Sequence, residues 1–214
     1  MDKYKVAIVV PAYNEERTIG EVVKSISNYG DVILVNDAST DATKEIALKM
    51  NVILINNKIN LGYDKALNMG FSEADKRNYN AVITFDADGQ HSPDSLKMYI
   101  EYLENGVDLV LGVRKKTGRV AEWIFMLYTH KKFKWQDPLC GMKGYSMSLY
   151  RGQGYFDSYG SIGTELSHYG LKNNYSFKQL NIPIKNRKDT PRFSSTIKAN
   201  FYILRALAKM IISK

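Results

Sequence analysis

Over residues 1–113 the chain alternates short β-branched runs with segments of helical period, and this alternation constrains its fold more than any other feature. Residues 5–10, 31–35, 52–55, 81–85 and 107–113 read as strands. After the first strand Ile19, Val22, Val23 and Ile26 recur at i, i+3, i+4 and i+7, the spacing of one buried helix face. Asn14 is the expected N-cap, with Glu15 and Glu16 in the first turn. The unit repeats. A helix capped by Ser39 or Thr40 is expected to run to Lys49, and another to cover residues 61–74. Ser92 followed by Pro93 opens a fourth helix, which stops at Glu104 before Gly106. Such a pattern folds as a mostly parallel sheet covered by helices on both faces.

The remainder is less regular. Val120, Trp123, Ile124, Leu127 and Tyr128 define one helical face, which Phe125 and Met126 widen. Residues 142–147 and 177–184 read as strands and 164–172 as a helix. Residues 195–213 form a basic amphipathic helix, with Lys198, Arg205 and Lys209 in one quadrant opposite Phe201, Leu204, Ala208 and Ile211.

Charge divides the chain in the same place. Residues 1–113 hold 11 basic and 17 acidic side chains, whereas residues 114–214 hold 19 basic and 5 acidic, so the halves are expected to meet different partners. Cys140 is the single cysteine and there are 3 histidines, which excludes a disulfide framework and a structural zinc cluster. No signal peptide is recognisable, and no apolar stretch approaches the roughly 20 residues that span a bilayer. A cytoplasmic protein is expected.

In an open α/β sheet ligands bind beyond the carboxyl ends of the strands. There the first strand offers Pro11, Ala12, Tyr13, Asn14 and Glu15, and the second Asn36 and Asp37. The strand at 81–85 is followed by Asp86, Ala87, Asp88, Gly89, Gln90 and His91. The alternation of a strand aims Asp86 and Asp88 to one side, and Gln90 continues the spacing. Two carboxylates and a neutral oxygen suit a hard octahedral cation, Mg²⁺ or Mn²⁺, such as one that neutralises a diphosphate. The same residues also read as an Asp-Gly turn leading into the helix at Ser92. A phosphatase of haloacid-dehalogenase type would place Asp-x-Asp similarly, but the later acids are scattered singly. A dinucleotide site would need Gly-x-Gly-x-x-Gly after the first strand, which is absent.

Five blocks taken together, VVPAYNEE at 9–16, VNDASTD at 35–41, NLGYDKALNMG at 60–70, FDADGQH at 85–91 and DPLCGMKGY at 137–145, resemble glycosyltransferase family 2. That family comprises inverting transferases of GT-A type that use nucleotide sugars, and the fifth block is similar to its polyprenyl-phosphate sugar transferase branch. The resemblance implies an α/β GT-A fold with one Rossmann-like domain over residues 1–194. Residues 1–113 would bind the nucleotide sugar, 114–194 the acceptor, and the basic helix at 195–214 would follow. It also implies that Pro11, Ala12, Tyr13, Glu15 and Asp37 hold base and ribose. Asp86, Ala87 and Asp88 would lie against the donor, with Asp86, Asp88 and Gln90 on the Mg²⁺ or Mn²⁺ ion.

The chain departs from the family in places. Asn36 replaces an acid and Ala38 a glycine, while Tyr63, Asp64 and Lys65 stand where the family often has Lys-Gly, which leaves Lys65 as the nucleotide contact there. The Gln-x-x-Arg-Trp motif of processive synthases is absent, which argues for one sugar per acceptor. Arg114, with Arg192, Ser194 and Lys198, is expected to clamp the diphosphate or an acceptor phosphate. Asp137 is the candidate general base and Glu165 the second, although Asp137 before Pro138 also reads as a turn-forming acid. The expected reaction moves a sugar from a GDP- or UDP-sugar to polyprenyl phosphate or to a lipid-linked or cell-surface glycan. Trp123, Phe125, Tyr128, Lys131, Lys132 and Lys134, with the terminal helix, suit docking on an anionic membrane at its inner face. Burial of those helices in the core or in a dimer is the alternative. A nucleic-acid-binding module would share the basic aromatics but leaves the acidic half unexplained.

Overall fold

The structure is a computed structural model and describes residues 4–115, 118–185 and 196–213. Seven strands form one sheet: β1 (Val6–Ala12), β2 (Asp31–Asn36), β3 (Ile53–Asn56), β4 (Ala81–Thr84), β5 (Leu109–Arg114), β6 (Lys143–Ser146) and β7 (Phe177–Ile182). Their order is β3-β2-β1-β4-β6-β5-β7. All pairings are parallel except those of β6, which runs antiparallel to β4 and β5. The chain winds from β1 outward through β2 and β3 and returns to β4 on the other side of β1. The loops after β1 and β4 therefore part, and a crevice opens between them.

Eight helices flank the sheet among the described residues: α1 (Ile19–Ile26), α2 (Thr43–Leu48), α3 (Tyr63–Lys76), α4 (Ser95–Glu104), α5 (Val120–Phe133), α6 (Met147–Gln153), α7 (Glu165–Lys172) and α8 (Thr196–Ile212). Alternate strand residues point to opposite faces, and each face has its own core. Ile8, Val10, Leu34, Ile83 and Val110 pack with Val23 of α1, Ala47 of α2 and Tyr99 of α4. Val9, Ile33, Val35, Val82 and Leu111 pack with Phe71 of α3 and with apolar residues of α5, α6, α7 and α8. A Cβ on Gly70 would collide with the side chain of Val9, so glycine is what lets α3 lie this close to β1.

Three expected helix starts move. Asn14 takes φ 53° and its Oδ1 accepts from the Thr40 N–H at 2.8 Å, so it ties two loops together and α1 begins only at Ile19. The expected cap at Ser39 or Thr40 gives way to a start at Thr43. Pro93 lies in a turn closed by the Ser95 N–H on Ser92 O and the Leu96 N–H on Pro93 O, and α4 begins at Ser95.

The terminal helix also turns a different face inward. Ala199, Ile203, Ala206, Leu207 and Met210 are buried and α8 packs against α5, while Phe201, Leu204 and Ile211 of the expected apolar face are exposed. The helix is apolar over most of its circumference, so periodicity marked a stripe but could not say which stripe meets the core. On α5 the side chains of Ala121, Phe125 and Thr129 are buried, whereas Val120, Trp123 and Leu127 are exposed. No helix among the described residues is long and apolar enough to cross a membrane.

Candidate active site

The polar residues that follow β1, β2, β4 and β5 collect at one edge of the sheet, because parallel strands deliver their carboxyl ends to the same side. Antiparallel β6 starts at that edge, with Lys143 opposite Thr84, and so brings the 137–142 segment over it. Pro11 and Ala12 are the last, buried residues of β1, and half-buried Tyr13 follows them. The Glu15 side chain is buried, with its N–H on Thr43 Oγ1 at 2.8 Å and its Oε2 accepting from Thr18 Oγ1 at 3.2 Å.

Asp37 is buried and its carboxylate is occupied from within. Oδ1 accepts from Asn57 Nδ2 at 2.8 Å and from the Leu61 N–H at 2.9 Å, and Oδ2 from the Gly62 N–H at 2.7 Å. It thereby fixes the loop that opens α3. Ala38, where the family has glycine, takes φ 59°, in the left-handed region that costs a residue with a Cβ about 1–2 kcal/mol.

Asp86 sits at the centre of the edge. His91 Nε2 lies 2.9 Å from its Oδ2, and Tyr63 Oη donates to its Oδ1 at 3.4 Å. Burial opposes ionisation of Asp86, but the His91 hydrogen bond and the charges of His91 and Arg114 outweigh it and hold the carboxyl below the usual carboxylate range. A Cβ on Gly141 would overlap the Asp86 carboxylate, so that glycine makes the space for it. Ala87 is buried, and the next carboxylate, Asp88, is half-buried and accepts the Gln90 N–H at 3.0 Å. The Gln90 side chain turns to Lys185 O at 3.3 Å. Among the described residues no group of three or more Asp, Glu, His or Cys side chains could hold an ion alone. Two carboxylates after one strand fit an ion that takes its other ligands from a diphosphate and water, which is the habit of Mg²⁺.

Arg114 ends β5 and meets buried Asp137 in a two-pronged pair. Nε lies 2.7 Å from Oδ2 and Nη2 2.9 Å from Oδ1, and the Arg114 N–H adds a third bond to Oδ2 at 3.0 Å. Burial disfavours the guanidinium charge, yet the Asp137 hydrogen bonds and charge prevail and raise Arg114 above its ordinary value. Glu122 stands 3.8 Å from the same guanidinium. Glu165, in the first turn of α7, accepts from Ser158 N–H at 2.6 Å and Ser158 Oγ at 2.8 Å, and burial raises its pKa. Lys65 is exposed at the start of α3, and Lys198 is exposed on α8. Arg192 and Ser194 lie outside the described residues.

Four side chains without an assigned role in the sequence reading shape this site. His91 and Tyr63 grip Asp86. Lys143 Nζ bridges Pro138 O at 2.9 Å and Gly163 O at 2.6 Å, and burial pushes its pKa down to about 8. Asp64 of α3 accepts the Gly163 and Ile162 N–H groups at 2.6 and 3.2 Å, and burial raises it to about 6. Each lies inside a quoted motif, which was the available signal, but its partner is set by tertiary packing.

A dolichol-phosphate mannosyltransferase from Pyrococcus furiosus is 32% identical over 131 residues, covering 56% of this chain and 36% of that protein. A UDP-N-acetylglucosamine–dolichyl-phosphate N-acetylglucosaminyltransferase from Methanococcus voltae is 33% identical over 129 residues, covering 51% of each. The chain thus spans about half, or less, of the length of these curated relatives. In fold it is similar to glucosyl-3-phosphoglycerate synthase from Mycobacterium tuberculosis, solved with Mn²⁺, UDP and phosphoglyceric acid. That likeness has a TM-score of 0.78 at 21% identity and covers 98% of this chain and 78% of the other. The expected GT-A arrangement is the one observed. The family model described as "Glycosyl transferase family 2" matches residues 7–155, well over half of the chain, and the chain belongs to that family.

Proposed function

We propose that the chain is a metal-dependent hexosyltransferase that moves one sugar from a GDP- or UDP-sugar to a phosphate-bearing acceptor, polyprenyl phosphate foremost. The observation that carries this reading is the meeting of Asp86, Asp88 and the Arg114–Asp137 pair at the carboxyl edge of the sheet, within a family 2 chain. Two relatives named for transfer to dolichyl phosphate support the acceptor class, and the mycobacterial neighbour with UDP and Mn²⁺ supports the donor and cofactor.

In this reading Pro11, Ala12, Tyr13 and Glu15 line the base and ribose, Asp37 holds the adjoining loop, and Ala87 closes the floor. Asp86, Asp88 and Gln90 would hold Mg²⁺ or Mn²⁺, which supplies positive charge to the diphosphate. Arg114, oriented by Asp137, stabilises the charge that builds on the departing nucleoside diphosphate. One in-line displacement at the anomeric carbon inverts its configuration. A phosphate acceptor arrives ionised and needs no strong base, so Asp137 can keep both oxygens on Arg114. A hydroxyl acceptor would call on Asp137 or Glu165. Arg192, Ser194 and Lys198 remain the proposed phosphate contacts of the late basic segment.

Thermal unfolding with GDP, UDP, CDP and dTDP, each with Mn²⁺ or with EDTA, tests this. A nucleotide at 100 times its dissociation constant stabilises by about 2.7 kcal/mol, or about 5–10 °C for a chain of this size. One nucleotide should give that rise only with metal. No shift with any of them would overturn the reading.

The outward faces of α5 and α8 support a membrane-surface role. Trp123, Ile197 and Phe201 are exposed by 52%, 83% and 66%, and Lys131, Lys132 and Lys134 are exposed at the C-terminal end of α5. Because α8 also fills the core, the informative variant is Trp123→Ser with Phe201→Ser and not a truncation. It should lose co-flotation with anionic liposomes while keeping its melting temperature. Undiminished flotation would exclude this face.

A further inference from the structure

Beside the strand-end site, a cavity of about 410 Å³ opens between the start of α3, the loop at 157–160 and the last turns of α8. Three cations from two distant stretches of sequence line it: Lys65 on α3, and Arg205 and Lys209 one turn apart on α8. Lys209 Nζ is held at 3.1 Å from Tyr159 O and lies over the Tyr159 ring. Arg205 reaches the loop at Gly160, with Nη1 3.6 Å from where a Cβ would stand there.

The two acids in the wall are engaged elsewhere. Asp157 accepts the Gly160 and Ser161 N–H groups, both at 2.7 Å, and Asp64 accepts those of Gly163 and Ile162. Both carboxylates are turned to the loop's own N–H groups, and among the described residues neither forms an ion pair with Lys65, Arg205 or Lys209. Three cations against two loop-bound carboxylates leave the concavity net positive, and the cations are the groups that reach its opening, an arrangement that favours an anion. Tyr63 closes the inner end of the cavity and bonds Asp86, so the cavity lies one ring's width from the expected metal ligands. On α8, within one turn of Arg205, Phe201 and Leu204 expose apolar surface.

We propose that this cavity is a phosphate-monoester subsite, in which Lys65, expected from the sequence to meet the nucleotide, instead joins Arg205 and Lys209 to seat the phosphate of the acceptor; its assignment to the acceptor rests on the transferase reading above. The volume exceeds what a phosphate group needs and leaves room for the first carbons of whatever carries it. A lipid phosphate would leave along Phe201 and Leu204, and a soluble one would stop at the mouth.

Direct binding tests this without relying on turnover. Farnesyl phosphate and 3-phosphoglycerate are titrated by calorimetry into the intact chain, into Arg205→Gln, and into Arg205→Gln/Lys209→Gln, with Mn²⁺ and the stabilising nucleotide present and with both omitted. Each lost cation should weaken phosphate binding about tenfold. Lys209→Arg should retain binding, and the melting temperature and nucleotide-induced shift of Arg205→Gln should match the parent. Weakening for farnesyl phosphate alone supports a lipid acceptor, and weakening for both supports a site for phosphate from either source. Equal binding to parent and variants, or no binding of either phosphate to the parent, overturns the proposal. Should no nucleotide stabilise the parent while the variants still lose phosphate, the transferase reading falls and the phosphate site stands.

Discussion

Asp88→Ala is expected to abolish the metal-dependent stabilisation by nucleoside diphosphate and to lower sugar transfer by about 10²–10³-fold, the usual range for removing one group that stabilises developing charge. Of the two carboxylates after β4, Asp88 gives the cleaner test. Asp86 also serves as acceptor for His91 and Tyr63, so its removal disturbs the fold of the edge as well as any ion. Asp88 accepts the Gln90 N–H two residues on, a bond within its own turn. The comparison is made by thermal unfolding with nucleotide in Mn²⁺ and in EDTA. A full Mn²⁺-dependent shift in Asp88→Ala would move the ion away from this strand end.

The second large effect concerns stability. Asp137→Ala should cost about 3 kcal/mol, since it withdraws three hydrogen bonds and leaves a largely buried guanidinium without its partner. The lower end of the range for broken buried pairs applies because the Arg114 side chain keeps 25% of its exposure and Glu122 stands near. In a chain of this size the melting temperature should fall by about 6–12 °C. Urea unfolding of the single variants and of Arg114→Met/Asp137→Leu provides the check. The double variant should recover much of the stability of the pair while remaining without activity. A stable Asp137→Ala protein would mean that Arg114 finds another anion.

Much of this architecture is legible in the sequence, for reasons that differ by element. The strands of the first half are short, β-branched and bounded by turn residues, so their positions follow from local pattern, and the strand-end acids with them. The direction of β6 is not legible, because an alternating strand looks the same whether it runs parallel or antiparallel to its neighbours. That single reversal brings Asp137 and Gly141 to the site. Helix α6 goes unread because it follows β6 without a break. Its one local sign is Ser146, whose Oγ accepts the Leu149 N–H at 3.2 Å. The partners of Asp37 and Asp86 are hidden for a third reason. Both acids are visible as strand-end residues, but the groups that occupy them, at Leu61, Gly62, Tyr63 and His91, arrive through chain folding and leave no periodic trace.

Lys143 has a consequence for the timing of events at this edge. Its ammonium is the common fastener of the 138 turn and the 163 loop. If either carbonyl swung away, a buried cation would be left short of an acceptor, and the opening of one segment raises the cost of keeping the other in place. The two segments are therefore expected to open as one cooperative unit, and hydrogen exchange should show their amide protons leaving in concert rather than separately.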